Sequence, residues 1–119
     1  MRVMILVKAT EESEAGILPT AELLEAMGKY NQELINAGIL RMGDGLKPSS
    51  KGARIAFDGP SRTVAEGPFA ATRELVAGFW LWEVKDMEEA IAWAKRCPNP
   101  MPGPSELELR PLYEEADFL

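Results

Sequence analysis

With 119 residues, 46% hydrophobic and 27% charged, the chain is sized for one domain spanning 1–119 whose core needs neither disulfides nor metal. Its net charge of −6 opposes a polyanion, and no basic cluster compensates, so direct contact with nucleic acid is not expected. With no histidine and a single cysteine, Cys97, zinc, copper and haem sites are set aside, a carboxylate magnesium site stays open, and no cofactor is expected.

The opening MRVMILVKATEE has an apolar run too short for a signal-peptide core, and no run reaches membrane-spanning length. A lone thiol fits a reducing compartment, so the expectation is a cytoplasmic protein with no membrane partner. Cys97 itself, just before Pro98 and without a histidine base, reads as a small buried hydrophobe.

In chain order, Val3 to Val7 is β-prone and apolar on both alternating faces, as for a strand within a covered sheet. Lys8 to Pro19 is polar, ends in proline and reads as a long loop. From Thr20 to Ala37, Leu23, Met27, Tyr30, Leu34 and Ala37 share one helical face, and Gly38 supplies a left-handed stop. Ile39 to Met42 begins a second strand, broken by the loop Gly43 to Gly52. That loop is no Walker motif, because Lys51-Gly52 leads into a strand and not into a helix.

Arg54 to Phe57 and Arg62 to Ala65 flank Asp58-Gly59, a hairpin signal. Leu75 to Val84 is a strand with Phe79 and Leu81 on one side and Trp80, Trp82 and Val84 on the other. Asp86 caps a helix whose predicted inner stripe is Met87, Ala90, Ile91 and Ala94, and Pro98 ends it. Glu106 to Leu109 alternates as a last strand, and the acidic tail YEEADFL either stays loose or docks on a partner subunit.

The order β, α, β, β, β, β, α, β suggests an α+β, ferredoxin-like antiparallel sheet with two helices on one face. The second face needs a partner, because the strand Leu75 to Val84 is apolar on both sides. A homodimer with sheets packed face to face is therefore expected.

The segment AEGPFAATRELVAGFW, from Ala65 to Trp80, resembles the signature of the DGPF-domain family, within the YCII-related group of dimeric α+β-barrel proteins. YNQEL, GDGLKPSSKG, AGFWLWEV and RCPNP extend the resemblance over nearly the whole chain. Glu66 stands where the family usually has aspartate, Ala71 replaces a glutamate and Arg73 a lysine. The histidine–aspartate pair attributed to some members has no counterpart here. Asp58-Gly59-Pro60, the literal match to the family name, is the hairpin turn; Glu66-Gly67-Pro68-Phe69 is the signature.

Gly67-Pro68 bends the chain at a sheet end, where Glu66, if partly buried, is a candidate acid or base and Arg73 a fork for a carboxylate or phosphate. The alternative is an ion pair between the two that pins the bend. Lys8 and Asp44 are further candidates for a cleft rim, against a solvated strand end and a turn former respectively. Trp80 and Trp82 are candidates for a pocket wall, against core or interface packing.

Two functions stand side by side. One is a small-molecule-binding protein, or an enzyme of cofactor-independent acid–base chemistry, near a dimer interface. The resemblance implies the other, a regulatory or sensory module partnered with sigma-factor transcription control.

Overall fold

The computed structural model describes all residues, 1–119. Its sheet has four strands: β1 (Arg2–Lys8), β2 (Leu40–Gly45), β5 (Val76–Glu83) and β6 (Leu107–Pro111), in the order β2-β5-β1-β6. Every neighbouring pair is antiparallel. Helix α2 (Ala21–Asn36) links β1 to β2 and helix α3 (Met87–Lys95) links β5 to β6. Each crossover skips one strand, which is the ferredoxin-like α+β arrangement. Between β2 and β5 the chain inserts a separate hairpin, β3 (Ala53–Asp58) and β4 (Ser61–Glu66).

The alternation in β1 and β5 decides which face of the sheet is covered. Val3, Ile5 and Val7 are buried with Trp80 and Trp82, and Tyr30 and Leu34 of α2 and Ala90 of α3 join the same core. Tyr30 Oη donates to the Trp93 carbonyl at 2.6 Å, tying α2 to α3 across the core. Ile91, predicted to point inward, is 45% exposed, and Trp93 packs against the core instead. Trp93, two residues on, offers the core more apolar surface than Ile91 would.

Helix starts follow local chemistry. Thr20 accepts from Leu23 N–H and Asp86 from Glu89 N–H, each satisfying a donor the helix leaves unpaired. A four-residue helix α1 (Glu11–Glu14) lies inside the predicted loop, held by a capping box between Thr10 and Ser13.

The sheet's second face carries Met4, Leu6, Phe79 and Leu81. The register sets Met42, Leu81, Met4 and Arg110 side by side in one row, and Asp44, Phe79, Leu6 and Glu108 in the next. An apolar centre is thus bordered by charge.

Asp44, read from sequence as a turn residue, is extended within β2 opposite Phe79. Gly43 explains why the strand runs on: a Cβ there would stand 2.5 Å from Trp80 Cδ1. That glycine serves close packing under an indole and not a reversal of the chain.

Candidate functional site

An open cleft of about 610 Å³ lies where β1 ends. Its walls are the exit of β1 with the start of α1, the 3₁₀ turn Thr72–Glu74, and the end of the proline-rich loop at Pro104 to Glu106. Backbone bonds hold these walls together: Lys8 N–H donates to the Glu106 carbonyl at 3.1 Å and Ala9 N–H to the Leu75 carbonyl at 2.9 Å.

Two predicted site residues meet in this cleft, Lys8 and Arg73. Lys8 Nζ donates to the Glu74 carbonyl at 3.3 Å, and neither cation belongs to any of the chain's ion pairs. Arg73 reaches the wall because Ala71, just before its turn, adopts a left-handed conformation, φ 61°. That backbone is costly for a residue with a Cβ and turns the chain sharply after Phe69. Four carboxylates, Glu11, Glu12, Glu74 and Glu106, line the same space, so its charge is mixed.

The remaining predicted residues sit elsewhere. Glu66 is the exposed last residue of β4 and is absent from the cleft walls. No ion pair joins it to Arg73, so an electrostatic pin is not what shapes the bend. Asp44 lies on the open face of the sheet. Trp80 and Trp82 are in the core, where Trp80 Nε1 donates to Asn31 Oδ1 at 2.9 Å and Trp82 Nε1 is buried without a partner.

A different knot shapes the bend, and its parts lie far apart in sequence. The Glu14 carboxylate accepts from Ser49 N–H at 2.9 Å and from the Ser49 hydroxyl. Ser49 Oγ in turn accepts from Phe69 N–H at 3.0 Å. Gly67 N–H donates to the Gly52 carbonyl at 3.1 Å, and a Cβ on Gly67 would lie 1.8 Å from the Ser49 carbonyl oxygen. The glycine of the Glu-Gly-Pro-Phe signature is required by that approach. The Arg54 guanidinium lies 4.0 Å over the Phe69 ring, so the signature forms the root of the β3–β4 hairpin.

Asn99 performs a similar service for the proline-rich loop. Its Oδ1 accepts from Met101 N–H at 3.0 Å and Ser105 Oγ at 2.7 Å, and its Nδ2 donates to the Gly103 carbonyl at 2.9 Å. This sets Ser105 and Glu106 along the cleft. A lone asparagine among prolines carries no periodic signal that could have marked it.

Cys97 lies against the core beside α3, and burial pushes its thiol up to about 11. A thiol so held is protonated at neutral pH and fits the reading of a packed hydrophobe. No group of three or more His, Cys, Asp or Glu side chains is arranged to hold a metal.

A ferredoxin-like α+β sheet with an inserted hairpin and a cleft at the end of its first strand describes the class of protein. The chain belongs to the YCII-related domain family, whose model matches residues 1–113. It is also similar to an uncharacterised protein of Rhizobium meliloti (strain 1021), 28% identical over 90 residues, which cover 76% of this chain and 73% of that one. No helix is long and apolar enough to cross a membrane.

Proposed function

We propose that this protein is a homodimer that binds a small polar metabolite in the cleft at the end of β1. The observation that carries the reading is the meeting of Lys8 and Arg73, two cations without carboxylate partners, on the walls of one cleft. An uncommitted guanidinium presents a planar fork matched to a carboxylate or phosphate, and the lysine adds a second positive point beside it. The four carboxylates around them disfavour a polyanion and favour a ligand with an anionic end and a cationic or hydrogen-bond-donating end. Thr10 and Ser105 add hydroxyls to the same walls.

Any acid–base chemistry in this reading belongs to a cleft carboxylate such as Glu74 or Glu106, since Glu66 is not on the walls. The dimer is supported by the open sheet face, where Met4, Leu6, Phe79 and Leu81 form an apolar centre that no helix covers. The single cysteine fits a cytoplasmic setting.

A thermal-shift screen of zwitterionic and anionic metabolites against the parent and Arg73→Ala tests the site. A ligand at a hundredfold excess over its dissociation constant should stabilise the parent by about 2.7 kcal/mol and leave the variant nearly unmoved. Ligands that shift both proteins equally would remove Arg73, and with it this cleft, from the reading.

A further inference from the structure

Six charged side chains share the walls of the cleft at the end of β1: Lys8 and Arg73, and the carboxylates of Glu11, Glu12, Glu74 and Glu106. None of the six belongs to an ion pair. Elsewhere the chain does pair such groups, Arg2 with Glu114 at 3.1 Å and Arg96 with Glu33 at 2.7 Å. In the cleft they stand on separate stretches of backbone, whose spacing is set by the bonds from Lys8 N–H to the Glu106 carbonyl and from Ala9 N–H to the Leu75 carbonyl. Lys8 Nζ itself goes to the Glu74 carbonyl at 3.3 Å and not to a carboxylate. Charges of both signs are thus left available to a bound molecule.

The balance of signs narrows what that molecule is. Two cations against four carboxylates leave the cleft a formal charge of −2, and the whole chain carries −6. A field of that sign draws a net cation and repels a polyanion, so nucleotides and sugar phosphates are poor matches. The neutral groups agree. Ser105 Oγ donates to Asn99 Oδ1 at 2.7 Å and is left to act as an acceptor, and Thr10 Oγ1 donates to Met101 Sδ at 3.3 Å. Apolar contact comes only from Ala9, Ala71 and Pro104, with no aromatic ring on the walls, so a flat heterocycle has nothing to stack on.

We infer that the ligand is a basic α-amino acid, with one carboxylate and two cationic groups, the second being an ammonium or guanidinium at the end of its side chain. The inference rests on the cleft reading under the proposed function and names the class of molecule for that same site. Lys8 and Arg73 take the carboxylate, Arg73 through its planar fork. Glu74 follows Arg73 in the chain and Glu106 is bonded through its carbonyl to Lys8 N–H, so these two carboxylates accompany the cations and take the α-ammonium. Glu11 and Glu12 open α1, on another wall, and take the side-chain cation. They determine specificity, and the helix does not need their carboxylates for its start, because the Thr10–Ser13 capping box supplies those bonds.

Nuclear magnetic resonance titration of the full chain at low ionic strength tests this with L-lysine and L-arginine. The comparison compounds are L-norleucine, which lacks the side-chain cation, cadaverine, which lacks the carboxylate, L-glutamate, and Nα-acetyl-L-lysine, which imitates the end of a peptide. L-Lysine and L-arginine should each bind the parent about tenfold more tightly than norleucine or cadaverine, since each comparison removes a charge-assisted contact. Glutamate should bind most weakly. In Glu11→Gln/Glu12→Gln the preference for lysine over norleucine should vanish, with norleucine affinity and far-ultraviolet circular dichroism unchanged. Arg73→Ala should weaken lysine and norleucine alike, by about tenfold.

Norleucine or glutamate binding as tightly as lysine, while Arg73→Ala still weakens it, would overturn the basic class and leave the cleft in place. Lysine binding that neither variant alters would remove the cleft itself. Equal affinity for Nα-acetyl-L-lysine and free lysine would overturn the role of the α-ammonium and make a peptide end the ligand. No binding of any of the six compounds would overturn the inference, and the metabolite screen with Arg73→Ala then judges the cleft on its own.

Discussion

The strands β1 and β3 start from similar material and end in opposite surroundings. In β1, Val3, Ile5 and Val7 are buried under the helices and the intervening residues face the open side. In β3, Ile55 and Phe57 alternate in the same way, yet both stay exposed. Alternation of apolar side chains therefore specifies that a face will seek a cover; it does not say whether the cover lies in the same chain. For the main sheet α2 and α3 supply one cover. For the second face of the sheet, a second copy is the cover we propose; the apolar face of β3 has none within this chain.

Truncation should separate the two regions most sharply. Trp82→Ala removes a fully buried indole from the centre of the core and should cost about 3–5 kcal/mol in urea unfolding. Phe57→Ala, at an exposed position of β3, should cost less than about 0.5 kcal/mol, as exposed substitutions do. A large loss from Phe57→Ala would mean that the hairpin packs against a further surface.

A smaller effect comes from pH and belongs to the packed half alone. Burial raises the Cys97 thiol from 9.0 to about 11, and it raises the Tyr30 phenol in the same direction. Both groups hold their protons longer in the folded state than in the unfolded chain, so the native state binds more protons at alkaline pH. Stability should be unaffected by them below pH 9 and should fall as pH rises from 9 towards 11. Urea midpoints taken at pH 7 and pH 10.5 check the sign, and Cys97→Ser should flatten part of the fall. Midpoints that rise with pH would contradict the burial of both groups.

Much of the packed half was legible in sequence because its signals are local. The left-handed stop at Gly38 (φ 74°) and the cap at Asp86 act within a few residues and appear in the structure, and the two-sided strand expected over Leu75 to Val84 appears as β5, Val76–Glu83. The hairpin turn at Asp58-Gly59 was equally plain. What escaped depends on distant partners. Helix α1 is too short to show a period, and its Glu14 acts on Ser49, 35 residues away. Glycines 43 and 45 suggested a turn around Asp44, whereas Gly43 answers to the Trp80 side chain and leaves the strand extended.

The candidate site was legible only in part. Lys8 and Arg73 are 65 positions apart in the chain, and each was visible as a charge next to a strand or bend. Their shared cleft depends on the return of the chain at Ser105 and Glu106, which Asn99 organises. No spacing along the sequence encodes that closure. Glu66, by contrast, looked like the partner of Arg73 because it is near in sequence, and the hairpin root carries it away from the cleft walls.

Hydrogen exchange tests the contrast between the packed sheet and the β3–β4 hairpin most directly. Amides of β1 and β5 that bond within the sheet should exchange slowly, whereas those of Ala53 to Glu66, whose strands pair only with each other, should exchange far faster. Hairpin amides protected to the same degree as those of β1 and β5 would contradict the contrast and mean that the hairpin has a cover.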